Sequence, residues 1–590
     1  MEIRYKYLLL KAGFVAAGIT CKPMAAAQTP GHPNVILIIT DDQGYGDLGF
    51  TGNPHVKTPV LDNFARQSIR FNNFYVCPVS APTRSSLLTG RYSLRTGIRD
   101  TYNGGAIMAS DEVTIAEMLK QADYQTGIFG KWHLGDNYPS RPTDQGFDES
   151  VIHLSGGMGQ VGDITTWFNN DSSYYNPVLW HNGVREPYKG YCSDIFADLA
   201  IDFIEKNMKR PFFCYLSFNA PHTPLQVPEK YYNLYENIDP SAGFDDDIRP
   251  WPEMSEKDKE DARKVYAMVS NIDNNVGRVL KKLDDLNIAE NTVVIFMTDN
   301  GPQQRRYVAG MKGLKGSVYR GGVRVPFYMR FPAMKKSNLD IEVTAAHIDV
   351  LPTLAEICNV EKPVDRKIDG ISLLPFIEKV KKSAPERPLF FYWTRHSPEL
   401  YNNIALQKGS YKLVGHADYD APVNEFELFD IVKDPFERVN IAGDHQEIAL
   451  GLKKELDLIF RELVNSKNMM DQPCIEVGSK FENPVILNRN DADGQWGIWD
   501  QEEIFGKWRL IINEGSYNLK FKFIKPIPPN GRMMVETQSF INQTKNEVEG
   551  ADMLEMKNIY LPEMKCDFVP FYQVDSRRIF PFWVEIEKKK

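Results

Sequence analysis

Four apolar runs that each stop in a cluster of polar, reactive residues constrain this chain more than any other feature. Residues 35–39 (VILII) end in Thr40-Asp41-Asp42-Gln43-Gly44, and residues 293–297 end in Thr298-Asp299-Asn300-Gly301. Residues 212–218 end in Asn219-Ala220-Pro221-His222, and residues 126–129 end in Gly130-Lys131-Trp132-His133. A strand that is apolar throughout, without alternation, is covered on both faces, as a parallel strand between two helical layers is. Helical spacing fills the intervals. Ile115, Met118 and Leu119 form one short apolar face, and Val265, Met268, Ile272, Val276, Val279 and Leu283 form a long one. The predicted fold class is therefore α/β, a large and mostly parallel sheet flanked by helices. In such sheets the ligand lies beyond the carboxyl ends of the strands, where these four polar clusters would meet.

The texture changes after about residue 375. Short strands are expected at 389–393, 411–414 and 427–429, followed by a helix near 447–464, so residues 376–469 are read as a smaller α+β subdomain. From 470 to 590 short alternating stretches such as 508–512, 518–523 and 582–586 lie between Gly, Asn and Pro turns, and this region is read as an appended β-rich domain, a sandwich in outline. That leaves 28–375 for the main α/β domain. Residues 1–27 have a basic start, an apolar stretch interrupted by Lys11, and Ala25-Ala26-Ala27, the pattern of a secretory signal. Cys21 offers lipid anchoring as the alternative. A periplasmic or secreted protein is expected. No other segment reaches the about 18 uninterrupted apolar residues of a membrane helix. The net charge of −9 argues against nucleic acid as a partner. The seven cysteines are dispersed without a CxxC pair, which argues against a metal cluster.

The stretch Ser80-Ala81-Pro82-Thr83-Arg84 carries a helix start. Pro82 suits a first turn, Ser80 would stand just before the helix, and the helix dipole with the Arg84 fork would favour an anion there. From these residues alone, a plain helix start with a surface arginine is equally open. Asp41, Asp42, Asp299 and Asn300 are hard oxygen donors at two strand ends, and point to Ca²⁺ or Mg²⁺ rather than zinc; turns and caps use the same residues. His133 and His222 can exchange protons near neutral pH, though an isolated histidine is more often structural.

SAPTRSSLLTGR resembles the signature of formylglycine-dependent sulfatases, in its serine form. TDDQGYGDLG, GKWHLG, APHTP, TDNG, LKGSVYRGGVRVP, DVLPTL and ELFDIVKDPFERVNIA also resemble sulfatase blocks, in the family's order, over roughly residues 34–442. Cys77 is out of register with the signature. The resemblance implies the large mixed sheet of the alkaline-phosphatase/sulfatase type. It implies that Ser80 is oxidised to formylglycine (3-oxoalanine) by a radical, serine-type maturing enzyme, hence a bacterial source. One Ca²⁺ would be held by Asp41, Asp42, Asp299, Asn300 and residue 80. Arg84, Lys131 and Lys315 would clamp the sulfate, with Lys312 a near rival for the last position, and His133 and His222 would move protons. The implied reaction is hydrolysis of a sulfate ester through a Ca-bound formylglycine gem-diol, releasing alcohol and inorganic sulfate. The expected substrate is a sulfated small molecule or glycan, with galactose or N-acetylgalactosamine sulfates preferred. Residues 103–106, 153–180 and 303–307 are candidate specificity loops, and the aromatic stretch 167–180 could line a sugar site. Two other readings stand beside this one: a phosphatase or phosphodiesterase of the same superfamily, carrying two zinc ions, and a non-catalytic binder of sulfated glycans.

Overall fold

A ten-stranded sheet is built around the first apolar run. Its strands in chain order are Asn34–Thr40 (β1), Ile69–Phe71 (β2), Gln125–Lys131 (β3), Glu149–His153 (β4), Val178–His181 (β5), Val184–Pro187 (β6), Phe212–Ser217 (β7), Thr292–Thr298 (β8), Phe327–Arg330 (β9) and Leu339–Ile341 (β10). Their spatial order is β10-β2-β9-β8-β1-β7-β3-β4-β5-β6. The centre, from β8 through β1, β7 and β3 to β4, is parallel. Antiparallel pairs flank it on both sides, which makes the sheet mixed. The computed structural model describes residues 32–244, 253–379 and 386–590. The expected signal segment, with Cys21 and Ala25 to Ala27, lies outside the described residues.

The lack of alternation in β1 has the expected cause. Val35, Leu37 and Ile39 enter one core, with Leu87 and Leu88 of the Ser80–Thr89 helix and Leu351 and Leu354 of the Val350–Ile357 helix. Ile36 and Ile38 enter the opposite core, with Phe196 and Ala200 of the Cys192–Asn207 helix and Met268, Ile272 and Val276 of the Glu256–Asp285 helix. Both faces are thus removed from water, at roughly 1.5–3 kcal/mol for each large side chain. The Glu256–Asp285 helix begins with a capping box between Ser255 and Asp258, and its buried face carries all six residues expected from the spacing. Among the described residues no helix is long and apolar enough to cross a membrane.

A four-stranded antiparallel sheet follows, from Leu389–Tyr392, Ile404–Lys408, Tyr411–Gly415 and Glu427–Asp430, and the Gln446–Val464 helix packs on it. Ile404–Lys408 was not foreseen as a strand: IALQK is short and of mixed composition, although Asn402-Asn403 and Gly409-Ser410 flank it. Beyond residue 474 the chain forms two further sheets. Trp508, Leu510 and Ile512 of one sheet share a single core with Tyr517, Leu519, Phe521 and Val584 of the other, so the two stack face to face. That core also takes in Ile107, with Tyr102 packed against it, from the segment after the Ser80–Thr89 helix.

The β-rich unit meets the main sheet through buried polar groups. Asp136 accepts the Ser155 N–H at 3.0 Å and the Asn488 amide at 2.8 Å, and its own N–H donates to Asp491 at 3.3 Å. Burial raises the pKa of both Asp136 and Asp491, and that of Asp163 nearby to about 7. A carboxyl whose folded pKa lies above its unfolded one stabilises fully below the unfolded value, and that stabilisation is lost as pH rises through the folded value. The melting temperature is therefore expected to fall between about pH 4 and pH 7. Asp491→Asn should flatten that slope in a pH series of thermal melts, and an unaltered slope would exclude this origin.

Candidate active site

The polar ends of the four central strands do converge. Asp299 N–H donates to the Thr40 carbonyl and Asp41 N–H to the Ala220 carbonyl, both at 3.1 Å, so the chain ends of β1, β7 and β8 are tied where they leave the sheet. Asp42 takes a left-handed φ of 62°, and its N–H donates to Asp299 Oδ1 at 3.1 Å. Gly130 of β3 has φ +118°, and a Cβ there would lie 1.8 Å from the Ser217 carbonyl oxygen. Only glycine lets β3 lie so close to β7, and this approach carries Lys131 under the strand ends.

Ser80 is the first residue of its helix rather than the residue before it, and Pro82 falls in the first turn as expected. Its hydroxyl sits between Asp41 Oδ1 at 3.0 Å and Asn300 Oδ1 at 3.3 Å. Around these oxygens stand three cations. Arg84 is wholly buried, with Nη2 2.9 Å from Asp299 Oδ2 and Nη1 2.5 Å from Ser217 Oγ. Lys131, equally buried, places Nζ 2.6 Å from Asp41 Oδ2. Lys315 Nζ lies 2.7 Å from Asp42 Oδ1. Lys312 points elsewhere: it pairs with Glu427 at 3.2 Å and lies over the Tyr319 ring. Of the two lysines, the fold brings Lys315 and not Lys312 to this cluster.

Burial alone would raise the pKa of Asp41 and Asp42, but Lys131 and Lys315 with His222 outweigh it and hold both below the usual range. Asp299 is raised, by burial and by repulsion from Asp41. The fixed charge is balanced, with three carboxylates against three cations. A divalent ion on the oxygen donors would leave the site with a surplus of two positive charges, which suits an anionic ester. The donor set fits such an ion. Asp41, Asp42, Asp299 and Asn300 are all buried and supply only hard oxygens, and Asp41, Asp42 and His222 bring ligand atoms within 4.8 Å of one another.

The two histidines have defined tautomers, because a carbonyl can only accept. His133 Nε2–H donates to the Thr101 carbonyl at 2.7 Å, which leaves Nδ1 unprotonated, buried and without a hydrogen-bond partner. Burial and Lys131 hold its pKa well below the ordinary value. Its left-handed φ of 62° and the bare Gly156 against its ring fix this pose. His222 donates from Nδ1 to the Thr223 carbonyl at 2.7 Å, and its Nε2 lies 3.7 Å from Asp42 Oδ2. Burial and Lys315 lower its pKa, with Asp41 and Asp42 opposing.

These groups open into a cavity of about 410 Å³ whose walls include Ser80, Lys131, His133, His222 and Lys315. Of the expected specificity loops, 153–180 contributes Gly156 and Gln160, and 303–307 contributes Gln303. Thr101 and Tyr102 stand in place of 103–106, and among the described residues none of 167–180 lines the wall. Trp167 instead packs near Phe582, and Trp180 under Arg185. Trp393, Arg395, Trp496 and Trp499 also line the wall and were not foreseen. Their signal was the density of tryptophan in Gly-flanked QWGIWD and beside arginine in FYWTRH.

A buried serine at a helix start, an oxygen-donor set at parallel strand ends and a ring of cations define a hydrolase of anionic esters on an alkaline-phosphatase-like sheet. The sulfatase family profile matches residues 33–360, and the chain belongs to that family and is a sulfuric ester hydrolase. A second profile, N-sulphoglucosamine sulphohydrolase, C-terminal, matches residues 314–462. Arylsulfatase A of Homo sapiens is 31% identical over 487 residues, covering 73% of this chain and 88% of that protein. The ulvan-active sulfatase of Formosa agariphila is 28% identical over 484 residues, covering 78% of this chain and 85% of that protein. The crystal structure of Ps i-CgsB in complex with k-i-k-neocarrahexaose superposes with a TM-score of 0.63 at 27% identity, covering 74% of this chain and 94% of that one.

Lys315→Ala should lower kcat/KM on a sulfate ester by about 10²–10³-fold, the scale of one lost charge-stabilising donor. Lys312→Ala should stay within a few-fold of wild type. Steady-state kinetics on the pair reads this directly, and the reverse ranking would displace Lys315 from the site.

Proposed function

We propose that the protein releases sulfate from carbohydrate sulfate esters, using Ser80 oxidised to formylglycine by a radical maturing enzyme, with one Ca²⁺ bound by Asp41, Asp42, Asp299, Asn300 and residue 80. The observation that carries this is the position of Ser80 Oγ, between two ligand oxygens and within the ring of Arg84, Lys131 and Lys315. The carbohydrate class is supported by relatives named for glycans, among them the ulvan-active sulfatase and N-acetylgalactosamine-6-sulfatase of Homo sapiens, 28% identical over 410 residues. Action in the periplasm or outside the cell is part of the same proposal.

Formylglycine would supply the attacking oxygen, and Ca²⁺ the extra positive charge, at this place. The chain's own residues do the rest. Arg84, Lys131 and Lys315 hold the sulfate oxygens and oppose the charge that gathers on them. His133 offers the lone pair of Nδ1 and takes a proton from a hydroxyl of residue 80, a role for which its neutral ring is suited. His222 presents Nε2, and a proton there passes to the departing alcohol oxygen. The negative charge of a bound sulfate ester favours that protonated form, against Lys315.

Two measurements test this. The peptide bearing residue 80 should carry the mass of an aldehyde in place of an alcohol in active enzyme, and Ser80→Ala should abolish turnover; full activity with an unconverted serine would refute the proposal. His222→Ala should reduce kcat on sugar sulfates by about 10²–10⁴-fold, the usual worth of general acid catalysis, and far less on aryl sulfates, whose phenolate leaves without a proton. Equal losses on both would assign His222 another role.

A further inference from the structure

Part of the cavity wall comes from a stretch of the chain that neither family profile reaches, since the two together end at residue 462. Trp496 and Trp499 project from the β-rich unit into the same wall as Ser80 and Lys315. Trp496 is 67% exposed, an arrangement that costs apolar hydration unless something covers the ring in use. Trp499 packs against Tyr102 with ring centres 4.9 Å apart and planes tilted by 45°, and Tyr102 in turn lies under the Arg395 guanidinium at 4.7 Å. The Arg395 guanidinium also lies over the Trp393 ring, at 4.7 Å.

Arg395 is positioned but not consumed. Its Nη1 donates to Asp100 Oδ1 at 3.0 Å and to Thr101 Oγ1 at 2.8 Å. Nε and Nη2, which form the opposite edge of the fork, have no partner among the described residues, and the side chain stays 36% exposed. That edge matches the two oxygens of a carboxylate or a sulfate. The unit that carries the tryptophans is fixed in register with this loop. Gly494 N–H donates to Asn103 Oδ1 at 2.8 Å, and Gly104 N–H to the Asn490 carbonyl at 3.3 Å.

We infer that the β-rich unit completes the active site as a subsite for the sugar next to the sulfated one: Trp496 and Trp499 receive the ring face, and Arg395 reads a second anionic group on it. The C–H face of a pyranose is weakly positive and apolar, and it complements the negative face of an indole. The substrate is then a polyanionic oligosaccharide rather than a sulfated monosaccharide or aryl sulfate. This rests on the sulfatase reading above and narrows its substrate.

The test uses full-length matured enzyme and three classes of probe: 4-nitrophenyl sulfate, a monosulfated disaccharide with a neutral neighbour, and disaccharides whose neighbour carries a carboxylate or a second sulfate. Wild type should prefer the last class. Trp496→Ala should reduce kcat/KM on both disaccharide classes relative to the aryl sulfate by about tenfold, mainly through KM, and Trp496→Tyr should restore most of it. Arg395→Leu should reduce the charged class relative to the neutral one by about 10–100-fold, and Arg395→Lys should restore it only in part. Equal changes on all three probes, or none on any, would overturn the subsite. Matured wild type that cleaves no sulfate ester would instead overturn the sulfatase reading, and the subsite with it.

Discussion

Asp41, Asp42 and Asp299 share one buried volume with Arg84, Lys131 and Lys315, and the rest of the molecule depends on that pairing. Any one of these charges, left alone at such depth, would cost several kcal/mol of lost hydration. Together they are tolerable only if the strands that carry them end in register, to within a hydrogen bond. The parallel pairing of β8, β1, β7 and β3 does this, because parallel strands deliver all their carboxyl ends to the same edge. The Ser80–Thr89 helix adds its first residue and Arg84 from above that edge. The arrangement is neutral by count, so its affinity for a divalent ion and for an anionic ester are linked: each is favoured by the presence of the other.

What could be read from the sequence follows from where each signal is written. Burial on both faces leaves its mark within the strand itself, so the four central strands and the long Glu256–Asp285 helix were legible, as were the polar residues that terminate them. Ser80, Arg84, the two histidines and the four oxygen donors lie within a few residues of those strand or helix ends. Ile404–Lys408 was not legible, since an antiparallel strand of ordinary composition is specified by its neighbours. Nor could spacing separate Lys312 from Lys315, which sit three residues apart in one loop; only the positions of Asp42 and Glu427 do so. The stretch 167–180 misled because aromatic density does not say which way a loop faces. The wall formed by Trp393, Arg395, Trp496 and Trp499 was harder to read for the complementary reason: its members come from two loops far apart in the chain and meet only in space.

The β-rich unit is joined to the main body in a way that makes the two hard to consider apart. Ile107 and Tyr102 belong to its hydrophobic core, while its Trp499 rests on a loop whose Thr101 carbonyl fixes the tautomer of His133. Packing in the sandwich is thus transmitted to the orientation of an imidazole over a short path of backbone. Asp136 and Asp491 lie in the same seam, where the Asp136 N–H donates to the Asp491 carboxyl and burial raises the pKa of both.

The burial of Ser80 bears on the order of events in the life of the chain. Its side chain is buried at the floor of the cavity and bonds to Asn300 just past β8, a strand that ends more than two hundred residues further on. If residue 80 is oxidised as proposed, its Cβ is more open to a maturing enzyme in the nascent polypeptide than after β8 has paired with β1. Under that proposal maturation is set against the clock of synthesis and collapse, and a chain that folds too early would keep an inert alcohol at its centre.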